Sequence, residues 1–210
     1  MADNKASVNP PFVIAVTGGI ASGKTTVCEL FYEIFQVETI DTDQLAKEAV
    51  SPGSKCLKEI VSVFGQEILD TTKNLNRPLM RKIIFQNPTR KKQLENIVHP
   101  EVKRLITKKL DAVSGKYCLL GIPLLHQKNQ DSRIDRILVI DCDEKTQIQR
   151  TMVRDKLKEE DVLKIISSQS QRKERLTLAD DLITNKGSKS ELKKDIIRLN
   201  ELYEKLSKKK

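Results

Sequence analysis

The chain has no tryptophan, and aromatic residues of any kind make up 4% of its 210 positions. A stacking platform for single-stranded nucleic acid therefore has little to be built from. Cysteine is equally sparse: Cys28, Cys56, Cys118 and Cys142 stand far apart, and no two have the spacing of a zinc site or a redox couple. Free, buried thiols in a reducing cytoplasm are the expectation. The two histidines, His99 and His126, have no spaced ligand partner, which argues against a structural metal centre. No apolar run approaches a membrane span, and Met1 to Pro11 lacks the basic-then-apolar layout of a secretion signal. The reading is a soluble cytoplasmic protein of one domain, monomeric by preference and long enough to bury a core.

Positive charge is in excess, with a net value of +9. Charge of this sign suits either nucleic acid or an anionic small molecule and does not choose between them. Much of it falls on solvated helical faces and in Lys208-Lys209-Lys210, where surface solubility accounts for it.

What is present is a phosphate loop. The apolar stretch Phe12 to Val16 leads into Gly18-Gly19-Ile20-Ala21-Ser22-Gly23-Lys24-Thr25, and Thr26-Val27-Cys28-Glu29-Leu30 continues as a helix. Strand, glycine-rich turn and helix start are the context that gives G-x-x-x-x-G-K-[ST] its meaning. Glycines let the backbone turn consecutive N–H groups into a concavity, and the positive end of the helix adds to it, so the site from Gly19 to Thr26 suits a polyphosphate such as that of ATP. Lys24 is expected on the terminal phosphates, and the Thr25 hydroxyl on Mg²⁺, a hard cation that binds through phosphates and few protein oxygens.

Further along, Val37 to Ile40 reads as a short strand delivering Asp41-Thr42-Asp43 to its end, followed by a helix through Val50 that Ser51-Pro52-Gly53 stops. From Ser54 to Ser114 the pattern is almost wholly helical, with breaks at Gly65, Asn87-Pro88 and His99-Pro100, as in a helical insertion between strands. Tyr117 to Ile122 and Arg136 to Asp141 are continuous apolar runs, the pattern of parallel strands covered on both faces. Asp143-Glu144 opens a helix, the charged stretch from Lys156 to Arg175 carries one apolar stripe suited to a mobile cover, Asp181 to Thr184 is a last strand, and Ser188 caps a final helix. Five strands alternating with helices predict a doubly wound α/β sheet whose ligands sit beyond the carboxyl ends of the strands.

Phosphoryl transfer needs a cradle, Mg²⁺, cations and a carboxylate near the attacking hydroxyl. Asp43 is the leading candidate for that carboxylate, with Asp41 supporting Mg²⁺ through water; both are also residues that cap a following helix. Arg150 and Arg154 share a helical face, and Arg172 and Arg175, at i and i+3, stand at the far end of the charged segment, so each pair either folds over phosphates or belongs to a solvated, salt-bridged surface. His99 suits packing or substrate contact. Asn185-Lys186-Gly187-Ser188 superficially matches the guanine-reading N-K-x-D, but Ser188 has no carboxylate for the guanine N–H groups, which weighs against a GTPase. Another small-molecule kinase with the same core and an ATP-switched nucleic-acid module are the remaining rivals.

Beyond the loop, the sequence resembles the dephospho-coenzyme A kinase family from about Val13 to about Leu202. The resemblance is carried by Thr17 to Lys24, Ile40 to Asp43, Pro52-Gly53, Phe64-Gly65, Leu75-Asn76-Arg77, Ile84-Phe85, His99-Pro100, Ile122 to Leu125, Arg150, Arg154-Asp155, Gln169, Arg172 and Ala179-Asp180. It implies a P-loop kinase fold with a five-stranded parallel core (about 12–53, 115–143 and 176–204), a helical acceptor-binding insertion (about 54–114) and a lid (about 144–175), between polar tails at 1–11 and 205–210. It implies ATP-dependent phosphorylation of the ribose 3′-hydroxyl of dephospho-coenzyme A, the last step of coenzyme A synthesis. By the same resemblance Asp43 is the general base, Lys24 and Arg150 act on the phosphates, and Asn185 to Gly187 lie near adenine. Leu75, Arg77, His99, Pro100 and Leu124 fall on the acceptor side. Two positions depart from the family: Asn76 replaces the usual aspartate, and His126-Gln127 stand where an acid commonly follows P-L-L. With Gly121 ending its strand without an acid, Mg²⁺ relies on Thr25, the phosphates and water.

Overall fold

The computed structural model describes residues 10–123, 125, 127 and 131–209. Its elements are β1 (Phe12–Gly18), α1 (Lys24–Phe35), β2 (Thr39–Asp41), α2 (Thr42–Ala49), α3 (Lys55–Phe64), a 3₁₀ turn (Gln66–Ile68), α4 (Arg77–Gln86), α5 (Pro88–Leu110), β3 (Tyr117–Gly121), β4 (Arg136–Asp141), α6 (Glu144–Asp155), α7 (Glu159–Ser167), α8 (Arg172–Leu178), β5 (Asp181–Thr184) and α9 (Lys189–Ser207). The chain divides into two compact units, residues 1–40 with 113–210 and residues 41–112.

The first unit is built on the five-stranded sheet, ordered β2-β3-β1-β4-β5, with β1 parallel to β3 and β4, and β4 parallel to β5. The three inner strands, β1, β3 and β4, are mostly apolar because both faces are covered. Ile14 and Val16 of β1 and Leu138 and Ile140 of β4 point into a cluster with Val27, Leu30 and Phe31 of α1 and Leu192, Ile196, Leu199 and Tyr203 of α9. On the opposite face Ala15, Ile137 and Val139 meet Leu176 and Leu178 of α8. Such side chains each contribute roughly 1.5–3 kcal/mol on burial, which holds the strand ends that carry the site in place. Because the expected doubly wound sheet forms, β1 delivers its glycine-rich turn at the carboxyl edge.

The second unit is helical. Cys56, Ile60 and Phe64 of α3 and Met80 of α4 form its core, with Leu94, Ile97 and Val98 of α5 packed against it. Two local expectations fail here. The pair His99-Pro100 does not interrupt the chain: α5 is one helix of 23 residues with Pro100 inside it. Pro100 has no N–H for the Asn96 carbonyl, but Asn96, His99 and Pro100 are all exposed, so the missing bond falls on the solvent side of the helix while the buried stripe keeps it intact. Nor is the stretch from Leu69 to Asn76 helical. Asp70 Oδ1 accepts from the N–H groups of Thr72 and Asn74, both at 2.9 Å, and closes a turn that brings Leu69 and Leu75 into an antiparallel bridge.

Candidate active site

The loop between β1 and α1 is curled tightly. Ser22 N–H returns to the Gly19 carbonyl at 3.2 Å, and Ala21 and Gly23 take left-handed φ values of 52° and 101°. Alternation of this kind turns backbone N–H groups inward as an anion-binding concavity, to which the amino-terminal end of α1 adds positive potential. At Gly23 a side chain is doubly disfavoured, by φ and because a Cβ would lie 2.2 Å from Asn185 Nδ2. Lys24 opens α1 and folds its ammonium over the loop, donating to the Gly18 carbonyl at 2.9 Å. Thr25 follows, exposed in the first turn, and presents a hydroxyl of the kind Mg²⁺ accepts as ligand.

Two neighbouring elements hold this loop. Asn185, just beyond β5, is buried and donates its backbone N–H to the Asp141 carbonyl at 2.7 Å. Its Nδ2 donates to the Ser22 carbonyl at 2.8 Å, and its Oδ1 accepts from Gly187 N–H at 3.1 Å and from Arg150 at 3.4 Å. The side chain is thus committed to bracing the loop and the Asn185–Gly187 turn. Arg150 comes from α6, whose start is set by Asp143, which caps it by accepting from Thr146 N–H at 2.8 Å. One Arg150 nitrogen reaches the Ala21 carbonyl at 3.4 Å. Around these groups opens a cavity of about 790 Å³, lined by residues 21–26, by Arg150, Val153 and Arg154 of α6, and by Asn185, Gly187 and Leu192. That volume falls in the range of small-ligand sites.

The other arginines diverge. Arg154 lines the cavity but pairs with Asp155 at 2.8 Å. Arg172 donates through Nε and Nη2 to the two carboxylate oxygens of Asp141 at the end of β4, and this carboxylate raises its pKa above the ordinary value. Arg175 stands beside Gly19, where a Cβ would lie 2.9 Å from its Nη2, and donates to the Ser170 carbonyl; burial lowers its pKa. Among the described residues no carboxylate lies within ion-pairing distance of Arg175. Burial raises the Cys142 thiol, with Arg150 opposing, and all four cysteines are free, Cys28 half-buried and the rest buried.

Sequence reasoning passed over two residues that serve the loop. Gln147 on α6 is buried and bonds to the Ile20 carbonyl, and Asp141 is the acceptor that anchors Arg172. The available signal was Gln147 itself, a polar residue one turn before Arg150 on the helix face that carries it.

The remaining candidates, Leu124 and His126 apart, belong to the second unit. Asp41 caps α2, its Oδ1 accepting from the Asp43 and Gln44 N–H groups at 2.8 and 3.3 Å. Asp43 is exposed in the first turn of that helix. Leu75 lies in the bridge with Leu69, and Arg77 is the first residue of α4, exposed and preceded by Asn76, whose side chain caps the helix by accepting from Leu79 N–H at 3.1 Å. The amide at position 76 therefore fills the capping role that an aspartate there would fill. His99 and Pro100 are exposed on α5. Leu124 and His126 lie outside the described residues. No helix among the described residues is long and apolar enough to cross a membrane.

The family profile described as dephospho-CoA kinase matches residues 12–191. A dephospho-CoA kinase of Vibrio parahaemolyticus is 42% identical over 191 residues, covering 91% of this chain and 94% of that one. Among solved structures, a Thermus thermophilus protein superposes with a TM-score of 0.80 at 30% identity, over 90% of this chain and 96% of that one. A dephospho-CoA kinase from Campylobacter jejuni shares the fold, with a TM-score of 0.61 at 24% identity over 91% and 96% of the two chains. With the phosphate loop, its flanking strand and helix, and a profile match across most of the sequence, the chain belongs to the dephospho-CoA kinase family, a family of P-loop kinases.

Proposed function

We propose that the protein transfers the γ-phosphoryl group of ATP to the ribose 3′-hydroxyl of dephospho-coenzyme A, giving coenzyme A and ADP, the final step of coenzyme A synthesis. The observation that carries this reading is the convergence of loop, Arg150 and Asn185 around one cavity in a chain of this family. Phosphoryl transfer depends mostly on positioning and on offsetting charge. Residues 19–26 hold the phosphates through backbone N–H groups other than those of Ile20 and Ser22, which bond to Gln169 and to the Gly19 carbonyl; Lys24 and Arg150 neutralise the phosphates, and the Asn185–Gly187 turn flanks the adenine. The Thr25 hydroxyl beside this cradle fits Mg²⁺, with Asp41 contributing through water. Bound there, Mg²⁺ supplies Lewis-acid neutralisation of the phosphate oxygens.

Asp43 accepts the proton of the attacking hydroxyl. Leu75, Arg77, His99, Pro100 and Leu124 contribute to the acceptor side, the stretch 54–114 to acceptor binding and 144–175 to the lid. Four free thiols accord with a cytoplasmic enzyme, which we take to act as a monomer. The test is direct: the purified chain with Mg²⁺ and ATP forms coenzyme A from dephospho-coenzyme A, followed by mass spectrometry. Absence of product alongside rapid phosphorylation of adenosine, a nucleoside monophosphate or a sugar overturns the assignment.

A further inference from the structure

Gln147 is 3% exposed, and its Nε2 donates to the Ile20 carbonyl at 2.8 Å. From the other side Ile20 N–H donates to Gln169 Oε1, in the link between α7 and α8, at 3.0 Å. A carbonyl only accepts and an N–H only donates, so Gln147 presents its nitrogen and Gln169 its oxygen. Two consecutive peptide groups of the loop are held in this way. The Ile20 N–H belongs to the Gly19–Ile20 peptide, and the Ile20 carbonyl to the Ile20–Ala21 peptide.

That second peptide matters for chemistry. In a planar trans peptide the C=O and N–H point in opposite directions. Binding of the Ile20 carbonyl to Gln147 therefore turns the Ala21 N–H away from Gln147 and helps hold Ala21 at φ 52°, a region unfavourable for a residue with a Cβ. Among the described residues no protein acceptor takes the Ala21 N–H. The glycine at position 19 is what admits the amide, since a Cβ there would stand 2.2 Å from Gln147 Nε2.

We propose that Gln147 is a positioning residue for phosphoryl transfer: by holding the Ile20 carbonyl it aims the Ala21 N–H at the polyphosphate, while Gln169 steadies the preceding peptide. This rests on the ATP-dependent reading above and adds to it a donor outside the loop on which the loop's geometry depends. The decisive property is the N–H. Gln147→Met keeps length and burial and removes it. Gln147→Glu lacks a donor when ionised and regains one when protonated, because the introduced carboxyl O–H then donates to the same carbonyl.

The experiment compares wild type and both variants in steady-state kinetics from about pH 4 to pH 8, because burial raises the pKa of the introduced carboxyl while Arg172 and Arg175, which share its pocket with Glu144, lower it. Affinity for a non-hydrolysable ATP analogue with Mg²⁺, and melting by circular dichroism, are measured alongside. Gln147→Met lowers kcat/KM for ATP about tenfold, one hydrogen bond's worth, and leaves KM for dephospho-coenzyme A unchanged. Gln147→Glu has a similar deficit at neutral pH, and its rate relative to wild type recovers as pH falls. A folded Met variant with wild-type kcat/KM for ATP overturns the proposal, as does a Glu variant whose deficit is the same at every pH. If the Met variant fails to fold, the pH ratio of the Glu variant decides. If wild type itself forms no coenzyme A, the functional reading fails, and analogue affinity decides the role of Gln147: a loss in both variants at neutral pH supports it, and no loss removes it.

Discussion

Arg172→Ala is expected to destabilise the protein more than Asp141→Asn, although the two changes break the same ion pair. The pair is bidentate, Nε to Oδ1 at 2.8 Å and Nη2 to Oδ2 at 2.6 Å. Its members are unequally immersed: the Asp141 side chain is 7% exposed and that of Arg172 50%. Without Arg172 the carboxylate stays at the end of β4, out of water and without its hydrogen-bonded counter-ion, with only the longer-range attraction of Arg175. Without the Asp141 charge the guanidinium turns to solvent and is hydrated. Breaking a fully buried pair from one side costs about 3–5 kcal/mol, whereas an exposed pair contributes about 0–1 kcal/mol. For this half-open pair the expectation is about 2 kcal/mol for Arg172→Ala and about 1 kcal/mol or less for Asp141→Asn. In a chain of this length that is a fall in Tm of about 4–8 °C against about 2–4 °C or less. Calorimetry or circular dichroism at neutral pH measures both, and in the Asp141→Asn background Arg172→Ala should cost less than it does alone. Equal losses, or a larger loss from Asp141→Asn, would refute the argument that unequal exposure decides the outcome.

Asp43→Asn is expected to lower kcat by about 10²–10⁴-fold with little change in affinity for ATP, since only the destination of the acceptor's proton is removed; normal turnover would dismiss Asp43 as the base. Gly23→Ala forces a side chain onto φ 101° and into the Asn185 amide 2.2 Å away, so it should cost about 2 kcal/mol or more and weaken nucleotide binding, measured by melting with and without ATP. Tyr203, fully buried, has its pKa raised by burial and then by Asp181, to which its hydroxyl donates at 3.0 Å. Because the folded value is the higher one, this stabilisation is complete below the unfolded tyrosine pKa of about 10 and fades as pH rises above it. Tyr203→Phe should therefore show a shallower fall in Tm than wild type above about pH 10, and parallel curves would count against this origin.

The sheet unit was legible in the sequence because its strands are buried on both faces. Tyr117 to Leu120 and Ile137 to Ile140 are buried along their whole length, and that leaves an unbroken apolar run in each. The phosphate loop was legible because its backbone turn depends on glycines at set positions, as Gly23 illustrates. Caps were legible too: Asp143 and Ser188 accept from N–H groups three residues on, a purely local interaction. The helical unit was less so. Pro100 carries a breaking signal that neighbouring packing overrides, and the turn after Ile68 depends on one carboxylate, Asp70, gathering several nearby donors.

The arginines mark the boundary most clearly. Sequence alone determined that a phosphate cradle follows β1, that Lys24 and Thr25 open its helix, and that several cations recur between Arg150 and Arg175, because those features depend on residues close in the chain. Only the tertiary structure decided which cation faces which partner: Arg150 on Ala21 and Asn185, Arg154 on Asp155, Arg172 on Asp141, Arg175 beside Gly19. It likewise brought Gln147 to Ile20, across 127 positions. A polar side chain takes its partner from whatever the fold delivers within about 3 Å, and no spacing along the chain records that distance.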